Sequence, residues 1–116
     1  MPREQAIDEA LARAARYRDA GCDGIFLPLV SEPAEIETVA RAIDPLPLNV
    51  LATPGLPPAA ELRRLGARRL SAGASIGRAA IMLTRQLATG FLADGSSDAI
   101  YQHITERLDL NALFQT

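Results

Sequence analysis

An α/β fold built on a parallel sheet is what this sequence predicts, and three observations carry the prediction. Three strand-like runs, GIFLPLV (24–30), PLNVLA (47–52) and ARRLSA (67–72), are separated by segments of helical periodicity. The first two runs do not alternate polar and apolar residues, the pattern expected of strands covered on both faces by helices. The order reads α-β-α-β-α-β-α-α, the alternation that right-handed crossovers in a parallel sheet produce. A complete (β/α)₈ barrel takes roughly 250 residues, against 116 here. The expected architecture is therefore a partial (β/α)₈ TIM barrel: its last three parallel strands with their helices, followed by a C-terminal helical tail.

Each element has its own signal. Over residues 3–20, Ile7, Leu11, Ala14 and Tyr17 recur at spacings of three and four and share one helix face. Glu9 and Arg13 form a favourable i,i+4 pair, and Gly21 stands where a left-handed cap ends the helix. In the first strand Pro28 removes a ladder donor and is expected at the strand's end. Ser31 and Glu32 are cap candidates ahead of Pro33, which suits a first helical turn. Ile36, Val39, Ala40 and Ile43 then make an apolar stripe. After the second strand, TPGLPP reads as a loop, and Pro58 opens a short helix through Leu62 and Leu65 that Gly66 closes. A long helix over about 76–93 follows the third strand. It is apolar on two sides, through Ile76, Ala79, Ala80, Leu83, Leu87 and Phe91 and through Ile81, Met82, Ala88 and Leu92. That girth is unusual for a surface helix. DGSSD breaks the chain before a tail helix over about 98–107, with Ile100, Ile104 and Leu108 on one face, and LNALFQT can add a final turn.

Composition narrows the function classes. The net charge is −2 with the signs interspersed, and aromatic residues are 4% of the chain, so neither the basic stripe nor the stacking platform of a nucleic-acid binder is present. One cysteine, Cys22, allows no intrachain disulfide, and one cysteine with one histidine cannot make a Cys/His zinc site within a chain. The first helix carries no apolar signal region, and no apolar run approaches the ~18 residues of a membrane span. A cytoplasmic location and no membrane or nucleic-acid partner are the expectations.

Asn49 is the sharpest polar residue. Strand alternation sends Asn49 and Leu51 to one face and Leu48 and Val50 to the other. In a barrel, an inward amide near the carboxyl end of a strand can hold a carboxylate or carbonyl oxygen. The competing reading is a structural amide satisfied by neighbouring backbone, since a buried amide without partners costs about 1–3 kcal/mol. The tight exit ATPG brings Thr53 over the same mouth. SAGASIG (71–77) is the second candidate: small residues between a strand and a long helix let backbone N–H groups approach an anion, with Ser71 and Gly73 at its start. Glycines also occur there merely because the chain turns sharply. The rest favour plain roles. His103 is expected at the surface and Cys22 as a small buried residue. The serines lack a Gly-x-Ser-x-Gly elbow, and Glu32 and Glu35 suit a helix start. Asp23 falls in the turn before a strand, away from the chemical end. The arginines of LRRLGARRL read as solvated surface.

Two long stretches, AIDEALARAARYRDAGCDGIFLPLVSEPAEIETVARAIDPLPLNVLATPG and LRRLGARRLSAGASIGRAA, together resemble the C-terminal part of the isocitrate lyase/phosphoenolpyruvate mutase superfamily. AGCDGIF alone is common to many barrels; the three strand motifs in order are more specific. The resemblance implies a modified (β/α)₈ barrel with Mg²⁺, acting on small 2-oxo or phosphonate-type carboxylic acids by making or cleaving C–C or P–C bonds. It divides the chain into barrel, 1–95, and helical tail, 96–116. It also implies that the metal-holding carboxylates and the Lys-Lys-Cys-Gly loop of the family lie on earlier strands; Cys22 is not that loop's cysteine, and Arg3 does not inherit the arginine of strand five. No catalytic or metal-binding residue is therefore expected here. Asn49, Thr53, Ser71 and Gly73 are the expected substrate-binding residues, in a chain inactive on its own. The 76–93 helix is expected to pair with a second copy in a homo-oligomer. A phosphate-binding barrel segment and a non-catalytic self-associating module are the alternatives.

Overall fold

The computed structural model describes residues 2–105, 109 and 111–114. It divides into two compact units, Met1–Gly73 and Ala74–Thr116. The first holds α1 (Arg3–Asp19), β1 (Ile25–Leu27), α2 (Pro33–Ala42), β2 (Leu48–Leu51), α3 (Ala59–Arg64) and β3 (Ala67–Ser71). The three strands form one sheet in the order β1-β2-β3, parallel throughout. Consecutive strands as neighbours, with each helix between them, is the arrangement of a barrel sector rather than of a doubly wound sheet.

All three helices lie on the same face. Ala14 of α1, Ile36 and Val39 of α2, and Leu62 of α3 join Ile25, Leu48, Val50 and Ala67 of the strands in a single apolar cluster. Ile36, Val39, Leu48 and Val50 are its largest fully buried side chains, each contributing roughly 1.5–3 kcal/mol of burial. The α2 stripe is thus the hub of the core, and Pro33 stands at the start of α2. Gly21 ends α1: its N–H donates to the Arg18 carbonyl at 2.9 Å while the Cys22 N–H donates to that of Tyr17 at 3.1 Å, the paired bonds of a Schellman cap. Gly66 is the tightest joint. Its φ is +99°, and a Cβ there would lie 2.7 Å from the Cβ of Ala40, so only glycine lets α3 turn into β3 against α2. At the other end of the helices, Arg3 grips Glu35 through two bonds of 2.6 and 2.7 Å and also donates to the Leu29 carbonyl at 3.4 Å. The Arg3 hydrogen bond chiefly holds the Glu35 carboxyl below its ordinary value; partial burial opposes this and the arginine's charge adds to it.

The sheet differs from expectation on its other face. Continuous apolar strands predict burial on both sides, yet Phe26 is 52% exposed and Arg69 is exposed too. Among the described residues of this unit nothing covers that side of β1. Tyr17 is likewise exposed rather than part of the α1 core stripe, because it lies beside the unpaired edge of β1 with Phe26 and Leu27. Cys22 is half-buried, and Pro28 follows β1 in a turn, as its missing donor requires.

In the second unit, α4 runs Ser75–Asp94 and ends at Gly95, whose N–H donates to the Phe91 carbonyl at 2.8 Å. None of its residues is buried; Ile76, Ile81, Met82 and Leu92 are all more than half exposed. The tail helix α5 is Asp98–Gln102, shorter than the 98–107 that its periodicity predicts. Ile104 is exposed and outside it, and residues 106 and 107 of the predicted span lie outside the described residues. Leu108 lies outside the described residues. A single 3₁₀ turn covers Ala112–Phe114.

Candidate functional site

Parallel pairing puts partnered residues on the same face. Phe26, Asn49 and Arg69 are register partners across the three strands, so they form one row on the face turned away from the helices. An irregularity between Leu48 and Asn49 lets β3 use an extra residue there, after which Leu51 pairs with Ser71. Asn49, Phe26, Arg69, Ser71 and Gly73, with Asp23 at the amino end of β1, line a recess of about 550 Å³ along this face.

Asn49 is only 7% exposed, a buried polar side chain in an otherwise apolar strand. Its Nδ2 donates to Ser71 Oγ at 3.3 Å, and Ser71 Oγ donates to the Val50 carbonyl at 3.2 Å. The serine has one proton and gives it to the backbone, so its oxygen must receive from the amide nitrogen. The chain of donors fixes the amide: Oδ1 points away from Ser71 and has no partner among the described residues. A buried acceptor left unpaired costs about 1–3 kcal/mol, and this one lacks the neighbouring backbone donor that a purely structural amide would use. The second Nδ2 proton also remains free in this bonding pattern. The amide nitrogen therefore keeps a proton to offer, while Oδ1 is itself enclosed.

Gly73 keeps the recess open at its carboxyl end. With φ of +55°, a Cβ there would stand 3.0 Å from Leu51 Cδ1. Asn49, Ser71 and Gly73 are thus brought together; of the turn 71–77, these last two line the recess. Thr53 is not among the lining residues: it is half-buried in the loop after β2, and its carbonyl accepts from Leu56 N at 3.1 Å. Asn49 is the second residue of β2, deeper than a residue at the strand's exit. Arg69 is the residue that the sequence reading passes over. In the tandem pair Arg68 and Arg69 nothing marks either side chain for a face; only the register beside Asn49 assigns Arg69 one.

A magnesium shell needs several oxygen ligands, carboxylates foremost. Among the described residues no three carboxylate, histidine or cysteine side chains converge, and the recess offers Asp23 alone. These residues do not fit a Mg²⁺ site, and no step is assigned to one. No helix among the described residues is long and apolar enough to cross a membrane.

Comparison with known proteins gives a consistent result. A proposed lyase/mutase from Burkholderia cenocepacia superposes over 95% of this chain with a TM-score of 0.81 and 34% identity, and 40% of that chain is covered. A phosphoenolpyruvate phosphomutase from Streptomyces platensis subsp. rosaceus superposes over 93% with a TM-score of 0.72 and 32% identity, 38% of it covered. Two uncharacterized proteins from strains of Mycobacterium tuberculosis are each 48% identical over 63 residues, 54% of this chain and 24% of theirs. The chain thus spans about two-fifths of these solved structures and a quarter of the mycobacterial relatives. The family model for phosphoenolpyruvate phosphomutase matches residues 1–92, and the chain belongs to that family.

Proposed function

We propose that this chain forms part of the active-site wall of a metal-dependent lyase or mutase that makes or breaks C–C or P–C bonds in small 2-oxo or phosphonate-type carboxylic acids. The observation that carries the reading is the Asn49 amide: buried, oriented by Ser71, lining a recess, and with Oδ1 unpartnered among the described residues. In this reading Asn49 Nδ2 binds an acid oxygen, and Gly73 leaves room for it. Thr53 acts from the adjoining loop, more distantly. Magnesium and the bond-making groups belong to residues other than those described, so the chain alone turns nothing over. A cytoplasmic setting is part of the same proposal.

Two measurements test it. Backbone amide shifts on titration with a 2-oxo acid and with a phosphonate should cluster at Asn49, Ser71 and Gly73; shifts confined to other residues would contradict the assignment. A magnesium-dependent cleavage assay of the 116-residue chain on oxaloacetate and methylisocitrate should give no product, and turnover would refute the claim that the reacting groups lie elsewhere. Titration with inorganic phosphate separates the phosphate-binding alternative, which requires shifts along 73–77. We further propose self-association through the exposed apolar residues of α4; a monomer by light scattering would remove that part.

A further inference from the structure

We propose that Arg3 is a clasp: by gripping Glu35 and the Leu29 carbonyl together, it fixes the loop between β1 and α2 at the carboxyl end of the sheet. This follows from the barrel fold and holds whichever acid the recess takes.

Position makes the clasp matter. In a (β/α)₈ barrel the loops that leave the carboxyl ends of the strands build the mouth of the site. Residues 28–32 are such a loop, between the end of β1 at Leu27 and the start of α2 at Pro33. Arg3 opens α1, and Glu35 stands in the first turn of α2. The pair therefore joins the leading ends of two successive helices, with the loop between them. That loop presents Leu29, 78% exposed, directly before Val30, 4% exposed.

The loop has few other ties. Among the described residues no backbone hydrogen bond from another element reaches residues 28–31. Val30 enters the apolar core, and the polar tie is the Arg3 Nη2 bond to the Leu29 carbonyl at 3.4 Å. A freely moving arginine would hold a carbonyl poorly at that distance. Here the guanidinium is already immobilised: its Nε and Nη2 donate to the two Glu35 oxygens at 2.6 and 2.7 Å, a planar fork that a lysine cannot reproduce. The same Nη2 serves Leu29, so one ordering of the side chain supports both contacts. The other arginine–glutamate pairs are different. Arg13, Arg41 and Arg64 each take a glutamate three or four residues away on their own helix, whereas Arg3 reaches one 32 residues away on another. The first three stiffen a helix turn; Arg3 ties separate elements.

The test is NMR relaxation of the 116-residue chain. Backbone order parameters of Leu29 and Ser31 should stand near the rigid value of about 0.85 in wild type and fall toward about 0.6 in Arg3→Met. Those of Val39 and Val50, in the core, should not change. Glu35→Ala should loosen the loop as much as Arg3→Met, and the double variant no more than either, because both act through one contact. Unchanged order at Leu29 and Ser31 in Arg3→Met, a loop that stays rigid in Glu35→Ala, additive loosening in the double variant, or loosening that spreads to Val39 and Val50 would each overturn the clasp. No ligand enters the measurement, so its outcome is separate from that of the acid titration.

Discussion

The two faces of this sheet are made by the same three strands and behave differently. Toward the helices, Leu48 and Val50 are sealed by Ile36 and Val39. Away from them, Phe26, Asn49, Arg69 and Ser71 line an open recess. The covered face has everything it needs: apolar contacts, helix caps and a glycine joint. Among the described residues, the open face has an amide acceptor without a donor and a guanidinium without a carboxylate. One face folds the chain; the other is chemically unfinished, and function is to be sought where satisfaction is incomplete.

Substitutions can break that contrast or sharpen it. The largest effect is expected at the hub of the covered face: Ile36→Ala should cost about 2–5 kcal/mol, read from urea unfolding midpoints. Gly66→Ala comes next. Its left-handed backbone and the approach of Ala40 should cost about 1–3 kcal/mol; a neutral result would mean that α2 and α3 sit farther apart than described.

A smaller effect is expected at the Arg3–Glu35 tie. The carboxyl of Glu35 is held below its ordinary value in the folded chain, so its contribution is complete above the unfolded glutamate value of about 4.3. It is lost as pH falls through the folded value. Wild type should therefore exceed Arg3→Met in stability at neutral pH, and the gap should close on acidification. A gap that persists undiminished in strong acid would show that the pair's charge is not its source. The smallest effect is expected on the open face, where Phe26→Ser should shift stability by no more than about 0.5 kcal/mol.

The sequence reveals the covered face well. The stripe Ile36, Val39, Ile43 falls at helical spacing, and Leu48 and Val50 fall at strand spacing, so local periodicity alone marks what packs together. Asn49, Ser71 and Gly73 are also visible, each as an exception to its surroundings. Their connection is not. The hydrogen bond from Asn49 to Ser71 depends on the irregular pairing after Leu48, and register between strands 22 residues apart leaves no mark in composition. The same irregularity puts Arg69 beside Asn49 when its tandem arginines suggest plain surface. Burial on both faces is inferred from apolar runs because they report what a strand can tolerate, not what is present to cover it. The tail helix is shorter than its periodicity suggests: Ile104 keeps the spacing, but it is exposed and α5 ends at Gln102.

The contrast between the faces is tested most directly by solvent paramagnetic relaxation of the 116-residue chain, with a soluble gadolinium chelate and side-chain resonances as reporters. The Phe26 ring and the Arg69 side chain should relax strongly, while the methyls of Val39, Leu48 and Val50 stay protected. Protection of Phe26 equal to that of Val50 in the monomer would mean that the chain closes over its own sheet, and the account of an unfinished face would be wrong.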